Sequence, residues 1–368
     1  MALCLIGRRR IGRVPRSTKL KASARTISPR AIPSPYDCFR VQTGISLPAH
    51  ETLAVDEHRP AVRRWRGGRL VLVVIYLPGM PRAAEADRHG EVFNEVAEEY
   101  DRHRPAYPDA LIDQACEVGG LDPGATVLEI GCGTGQLTRS LLARGLRVTA
   151  IEPGERLIAR TRAQLASAGE VEFVNRRLEE ASLPHAHYSA AFSASAIHWV
   201  DPDVSWRTIA DALVDGGTLG LVSYFGLQEP RSAGDQQAVR AAMARAAPEL
   251  TADWPTYRDL DGTLGGVDER RGNVSEVWAW LGGYELARGY AADLFEDTQV
   301  AAVPTLLEHT ADALTALLGT MSFSARLSPR QRDALRAENH ALHQRLGRPI
   351  RSSTVACLVT ARGVNRRA

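Results

Sequence analysis

The residues from Thr126 to Gly135 constrain the fold more than any other part of the sequence. Thr126–Ile130 (TVLEI) is a short run of apolar and β-branched residues, which predicts a buried strand. Three alternating glycines follow it directly: Gly131, Gly133 and Gly135. Glycine adopts dihedrals closed to other residues and lets a ligand approach the backbone. A strand that enters a helix through such a loop predicts an open α/β sheet with a ligand site beyond the strand's carboxyl end.

Strand-like and helix-like segments alternate along most of the remaining sequence. Further strands are predicted at 147–151, 171–175, 188–195, 218–225, 285–295 and 354–362. Helices are predicted at 91–100, 109–118, 136–144, 156–168, 205–214, 304–318 and 328–346. Short connections between alternating elements predict a seven-stranded, mostly parallel sheet with helices on both faces.

Residues 227–283 interrupt this alternation with several helical stretches. The segment carries Trp254, Trp278 and Trp280, and Tyr284 follows it. We interpret it as a helical insertion between sheet strands that forms a lid or a substrate wall. The alternative is a peripheral helical subdomain whose aromatic residues are core.

The formal charge of +2 hides a division of the chain near Met80. Residues 1–79 carry 15 basic and four acidic residues, whereas residues 80–368 carry 30 basic and 39 acidic residues. We predict that 1–79 is a disordered basic extension and that 80–368 is the catalytic domain. Translation starting at or near Met80 would make the extension non-native. The alternatives are an organelle transit peptide or a tail that binds nucleic acid or anionic lipid.

Several classes of protein are disfavoured by simple counts. No run of 18 apolar residues occurs, so no membrane-spanning helix is predicted. The five cysteines are scattered without a Cys-x-x-Cys pair, which disfavours a disulfide framework and a zinc ribbon and favours the cytoplasm. The net charge of −9 over residues 80–368 disfavours nucleic acid as a substrate.

Two carboxylates indicate which ligand the glycine loop binds. A dinucleotide fingerprint requires a glycine where Gln136 stands, and a P-loop requires a lysine that this region lacks. Glu129 places an acid just before the first glycine, where it would repel a pyrophosphate and attract a cation. Glu152 follows the second strand, where a carboxylate can accept both ribose hydroxyls of an adenosine. This set predicts S-adenosyl-L-methionine as the cofactor.

The ordered motifs resemble the class I S-adenosylmethionine-dependent methyltransferases. The matching segments are FNEVAEEYDRHRPAYP from Phe93, VLEIGCGTGQLT from Val127, IEP from Ile151, LEEASLP from Leu178, AIHW from Ala196 and LVDGG from Leu213. In style they are similar to the small-molecule enzymes of the trans-aconitate and quinone-biosynthesis type. The resemblance implies the Rossmann-like methyltransferase fold and a small-molecule methyl acceptor, with no nucleic acid or membrane partner.

The resemblance also implies roles for individual residues. Glu129 would lie near the methionine ammonium, and the three glycines would lie under the cofactor. The other cofactor-binding residues would be Glu152 and Pro153 at the ribose and adenine, Leu178 and Glu179 at the adenine, Ser195 and Ala196 at the methionine end, and Tyr100 and Arg104 over the pocket. His198 and then Tyr107 would be the candidate catalytic bases, and no metal is expected.

Other functions remain open from the sequence. An NAD(P)-dependent Rossmann oxidoreductase would share the strand and glycine loop, although Glu129 and Gln136 weigh against it. A protein that binds S-adenosylmethionine without catalysis would share all of these motifs. A nucleic-acid methyltransferase is disfavoured by the charge and by the lack of an Asn/Asp-Pro-Pro-Tyr/Phe motif.

Overall fold

The computed structural model describes Phe93 and residues 97–253, 257–283 and 290–364. The chain divides into two units, Met1–Met80 and Pro81–Ala368, and every described residue lies in the second. The predicted basic extension at 1–79 lies outside the described residues. Its disorder and the proposed start near Met80 therefore stay predictions.

Seven strands form one sheet in the order β3-β2-β1-β4-β5-β7-β6. Their bounds are β1 Thr126–Ile130, β2 Arg147–Ile151, β3 Val171–Val174, β4 Tyr188–Ala194, β5 Leu213–Gly226, β6 Phe295–His309 and β7 Ile350–Gly363. The first five strands are parallel to one another, whereas β7 runs antiparallel to both β5 and β6. The prediction of a seven-stranded, mostly parallel sheet is confirmed, and this strand order is that of the Rossmann-like methyltransferase fold.

Helices cover both faces of this sheet. Their bounds are α1 Ala97–His103, α2 Asp109–Gly119, α3 Gln136–Leu142, α4 Glu155–Leu165, α5 Pro202–Ala212, α6 Ala233–Ala246, α7 Leu260–Leu264, α8 Val274–Gly282, α9 Ala311–Gly319 and α10 Pro329–Leu346. Strand β1 alternates its side chains between the two cores, with Val127 packed among residues of α2 and α3 and Leu128 packed among residues of α5 and α8. Glu129 shares the face of Val127, so its carboxylate lies on the α3 side of the sheet.

The insertion predicted at 227–283 contains α6, α7 and α8. Helix α6 packs with α9 and α10 around a separate apolar cluster that includes Met243, Leu318 and Leu335. Trp278 of α8 is fully buried against the sheet, and Trp280 is partly buried. Trp254 and Tyr284 lie outside the described residues. A lid function for this segment stays a prediction.

The sixth strand was predicted in the wrong place. Strand β6 begins at Phe295 and continues to His309, so residues 304–309 are extended where a helix was expected. Pro304 pairs with Val355 of β7. Proline is tolerated there because β6 is the outer strand of the described sheet, where proline is usually found. The long pairing with β7 therefore overrides the local helical pattern.

Strand β5 also begins earlier than predicted. Residues 213–217, which include Gly216 and Gly217, belong to the strand, although it was predicted to begin at residue 218. The pairing of β5 with β4 shifts register between Tyr188 and Ala190. Such an irregularity accommodates extra residues in a strand, which explains how the two glycines lie inside it.

Candidate active site

The three glycines of the loop between β1 and α3 differ in their surroundings. Gly131, Gly133 and Gly135 have φ values of 71°, 53° and 82°, which favour glycine. A Cβ on Gly131 would lie 2.3 Å from Cβ of Ala196, and a Cβ on Gly135 would lie 2.5 Å from Cγ2 of Thr161. A Cβ on Gly133 would meet no described atom within 4 Å. Two glycines therefore allow close packing, while Gly133 leaves its backbone open to a ligand.

This difference predicts unequal effects of alanine in the loop. We expect Gly131→Ala to lower the free energy of unfolding by about 2 kcal/mol more than Gly133→Ala. Both variants carry the cost of positive φ, but only the first forces its methyl group into Ala196. Urea unfolding of the two proteins measures the difference. Equal losses would show that the contact with Ala196 relaxes without cost.

Glu152 connects the loop after β2 to the glycine loop. Its carboxylate accepts hydrogen bonds from the backbone N–H of Gly133 at 3.1 Å and from that of Gly154 at 2.8 Å. Burial raises the pKa of Glu152, and these two amides offset part of the rise. The predicted ribose acid is thus held next to Gly133, the glycine whose backbone is open.

Two residues that the sequence analysis missed secure these loops. Asn175 donates from Nδ2 to the carbonyl oxygens of Glu152 and Pro153, both at 2.9 Å. Thr161 donates from Oγ1 to the carbonyl oxygen of Gly133 at 2.8 Å. Asn175 follows β3 at its carboxyl end, where a polar residue is a usable signal. Thr161 lies inside α4, and nothing in the local sequence marks it.

Glu129 is a fully buried carboxylate. It is 0% exposed, and neither oxygen makes a hydrogen bond of normal geometry with any described residue. Burial raises the pKa of Glu129 from 4.5 to about 7, the charge of Glu152 adds to the rise, and the adjacent Thr138 moderates it. A buried carboxylate without a partner is costly, so it indicates a site for a cationic ligand group.

The end of β4 brings three hydroxyl groups together. Ser195 has a φ of 53°, unusual for a residue other than glycine. Its Oγ lies 3.0 Å from Oη of Tyr107 and 2.8 Å from Oγ of Ser223 on β5. Tyr107 stacks on Tyr224, whose hydroxyl donates to the carbonyl oxygen of Ala106 at 2.7 Å. Burial raises the pKa of Tyr107 well above its ordinary value, so the phenol keeps its proton.

Helix α1 and the residues after it approach the same end of the sheet. The Arg104 guanidinium lies 5.0 Å from the ring centroid of Tyr100. Its Nε and Nη2 donate to Oγ1 and the carbonyl oxygen of Thr320, both at 2.9 Å. The carbonyl oxygen of Arg104 accepts from Nε2 of Gln136, the first residue of α3. These contacts place Tyr100 and Arg104 beside the glycine loop.

His198 follows β4 in a short 3-10 turn, Ile197–Trp199. Burial and the positive charge of Arg104 lower the pKa of His198 from 6.5 to about 3. The imidazole is therefore neutral at physiological pH, and its low pKa makes it a weak proton acceptor. Its assignment as a base stays a prediction.

The remaining predicted cofactor residues lie in different surroundings. Leu178 is buried in the core, at 3% exposure, and Pro153 is exposed. Glu179 is also exposed, and its Oε1 accepts a hydrogen bond from the backbone N–H of Asp201, the N-cap of α5. Its side chain therefore supports the start of α5. The adenine contacts assigned to these three residues stay predictions.

Among the described residues, no group of three or more His, Cys, Asp or Glu side chains could hold a metal ion. No helix in the described part of the chain is both long and apolar enough to cross a membrane.

The methyltransferase domain family matches residues 127–217. This range runs from β1 into β5 and includes the glycine loop, Glu152 and Ser195. The strand order, the glycine loop and this match show that the chain carries a class I S-adenosylmethionine-dependent methyltransferase domain, as the sequence resemblance predicted.

Comparison with curated proteins gives partial matches to methyltransferases. A protein named an uncharacterized methyltransferase from Mycobacterium tuberculosis is 37% identical over 132 residues, covering 35% of this chain and 51% of the relative. The ubiquinone biosynthesis O-methyltransferase of Xanthomonas campestris is 33% identical over 102 residues, covering 27% of this chain and 43% of the relative. The chain thus spans about half the length of the first of these relatives.

Solved structures are similar at lower identity. A putative type II methyltransferase from Anaeromyxobacter dehalogenans has a TM-score of 0.45 and 22% identity, covering 72% of this chain and 99% of its own. Phosphoethanolamine N-methyltransferase 2 of Haemonchus contortus, in complex with S-adenosylhomocysteine, has a TM-score of 0.41 and 14% identity. The match covers 79% of this chain and 62% of that one.

Proposed function

We propose that the protein transfers a methyl group from S-adenosylmethionine to a small-molecule acceptor. The observation that carries the proposal is the pair of buried carboxylates around the glycine loop. Glu152 lies beside the open backbone of Gly133, and Glu129 lies under the same loop without a hydrogen-bond partner among the described residues. One acid can accept ribose hydroxyls, and the other can pair with an ammonium group.

This arrangement fits S-adenosylmethionine better than a nicotinamide dinucleotide. A dinucleotide would place its pyrophosphate on the glycine loop, close to both Glu129 and Glu152. Two carboxylates at that place would oppose the phosphate charge. The methyl donor carries an ammonium and a sulfonium, so the same charges favour it.

The residues of the chain contribute mainly position and exclusion of water. S-adenosylmethionine, when bound, supplies an electrophilic methyl group with a neutral leaving group. Methyl transfer then requires that the acceptor atom be held in line with that group. Of the two candidate bases, the buried Tyr107 keeps its proton, and the neutral His198 can accept a hydrogen bond from an acceptor. Neither residue supplies a strong base.

The acceptor class follows from charge. Residues 80–368 carry a net charge of −9, which opposes association with a polyanion such as RNA or DNA. We therefore propose a small molecule and not a nucleic acid, and we place the reaction in the cytoplasm. The O-methyltransferase of ubiquinone biosynthesis is one relative whose name states this kind of chemistry.

Titration calorimetry with the full chain tests the cofactor. We expect S-adenosylmethionine and S-adenosylhomocysteine to bind more tightly than NAD. Tighter binding of NAD would contradict the proposal and favour an oxidoreductase. A metabolite screen with a labelled methyl donor then tests catalysis, because a protein that only binds the donor would label no acceptor.

His198→Ala is expected to retain at least about a tenth of wild-type turnover, because a base with a pKa near 3 accelerates proton removal little at neutral pH. We also expect the wild-type pH profile to show no inflection near 6.5. Labelled methyl transfer to the acceptor found in the screen measures both, with His185→Ala on an exposed loop as the control. A loss above a hundredfold would establish His198 as an essential group.

A further inference from the structure

Three hydroxyl groups form a buried hydrogen-bonded chain that the proposed function does not yet use. It runs from Tyr107 through Ser195 to Ser223, with oxygen separations of 3.0 and 2.8 Å. Tyr107 is 8% exposed and Ser223 is 3% exposed. The stacking of Tyr107 on Tyr224 holds the ring in place, so the direction of its hydroxyl hydrogen is the remaining variable.

The direction in which the three hydroxyls donate follows from the surroundings of Ser223. Each of the three hydroxyls has one hydrogen to donate. Within the described part of the chain, Ser195 Oγ is the only partner of Ser223 Oγ. If Tyr107 donated towards the serines, the hydrogen of buried Ser223 would have no acceptor, which is unfavourable. The favoured order is therefore donation from Ser223 to Ser195 and from Ser195 to Tyr107.

In this order Tyr107 Oη is an acceptor from Ser195 and its own hydrogen is left for a ligand. The position of Ser195 indicates which part of the ligand that is. Ser195 follows β4 and Glu152 follows β2, with β1 between them in the sheet. Strands are spaced about 4.8 Å apart, so these two positions are about 10 Å apart across the strand ends. A ligand with its ribose at Glu152 and its sulfur over the glycine loop extends its amino-acid end towards Ser195.

The charge near Tyr107 favours an anionic group at that end. Arg104 is close enough for its positive charge to act on both Tyr107 and His198. Its guanidinium carries five N–H donors, and two of them serve Thr320. A carboxylate accepts hydrogen bonds from both a phenol and a guanidinium, and such charge-assisted bonds are strong.

We propose that Ser223, acting through Ser195, holds the Tyr107 hydroxyl as a hydrogen-bond donor to the carboxylate of bound S-adenosylmethionine. The inference rests on the proposed function and adds a positioning residue to it. Ser223 does not contact the ligand in this arrangement. Its effect on binding is transmitted entirely through the direction of the Tyr107 hydroxyl.

Calorimetry with two ligands tests the proposal on the full chain. The ligands are S-adenosylhomocysteine and its decarboxylated analogue, which lacks only the carboxylate. We expect Tyr107→Phe to weaken S-adenosylhomocysteine binding about tenfold and Ser223→Ala to weaken it about threefold. Both variants should bind the decarboxylated analogue as the wild type does, which also shows that they are folded.

A double variant separates a positioning role from a merely structural one. Adding Ser223→Ala to Tyr107→Phe should cause no further loss, since Ser223 acts only through the tyrosine hydroxyl. Ser232→Ala is the matched control. Ser232 is buried, and its Oγ lies 2.8 Å from Oγ of Ser353, so it takes no part in the Tyr107–Ser195–Ser223 hydrogen bonds. We expect the control to leave both affinities unchanged.

Results that contradict the positioning role differ from those that contradict the proposed function. Additive losses, or equal losses for both ligands, would overturn the positioning role while leaving the proposed function in place. Failure of the wild type to bind either ligand would overturn both the proposed function and this inference.

Discussion

Replacing Glu152 with glutamine is expected to weaken S-adenosylmethionine binding about a hundredfold. The glutamine amide can offer one oxygen, whereas the carboxylate accepts from Gly133 and Gly154 and has lone pairs left for ribose hydroxyls. Two charge-assisted hydrogen bonds to the ligand are lost, and each contributes more than a neutral bond. Titration calorimetry with S-adenosylhomocysteine measures the change.

Two further proteins make this result specific. Glu117→Gln, the same change at an exposed position of α2, should leave the affinity unchanged. Glu152→Asp keeps the charge but shortens the side chain, and we expect an intermediate loss. A change of less than about threefold in Glu152→Gln would remove Glu152 from the binding site.

Replacing Glu129 with glutamine is expected to make the protein without ligand less sensitive to rising pH. The folded-state pKa of Glu129 is about 7, against 4.5 for the free group. The unfolded chain therefore loses this proton above pH 4.5, while the folded chain keeps it until about pH 7. Folding is penalised progressively between these values, by about 3 kcal/mol once both states are ionised.

The comparison of the two proteins isolates this effect. Between pH 5 and pH 8, the wild type should lose about 2.5 kcal/mol of unfolding free energy relative to Glu129→Gln. Glu152 and the other titrating groups are present in both proteins, so their direct contributions largely cancel. Urea unfolding at the two pH values measures the difference. A constant difference would show that Glu129 is ionised in the folded state at pH 5.

Glu129→Gln should also change how the protein binds its ligand. An ammonium group beside Glu129 stabilises the ionised carboxylate, so its pKa falls on binding. We expect wild-type binding of S-adenosylmethionine near pH 6 to release a proton, seen as a dependence of the binding heat on the buffer. Glu129→Gln should bind more weakly and show no such dependence.

The central sheet and the glycine loop could be predicted because their signals are local. An apolar run, alternating glycines and an acid after the next strand lie within about thirty residues, and the structure places Glu152 against Gly133 as that pattern requires. The bounds of β6 could not be predicted, because its pairing with β7 and its outer position decide its conformation.

The hydroxyl chain and the loop contacts of Thr161 and Asn175 depend on long-range packing. Tyr107 and Ser195 are separated by 88 residues, and Ser195 and Ser223 by 28. No spacing rule relates a tyrosine before α2 to a serine that follows β4 and a serine within β5. Their contact arises because the fold brings the ends of β4 and β5 beside that tyrosine.

The placement of β7 leaves two strands of the nascent chain unpaired during synthesis. This strand is the last of the seven in sequence, yet it lies between β5 and β6 and contributes Ala356 and Leu358 to the core. Until Ile350–Gly363 has been synthesised, β5 has an open edge and β6 has no partner in the sheet. Unpaired edges invite association with other chains. The nascent polypeptide therefore carries an aggregation hazard until residues 350–363 have been made.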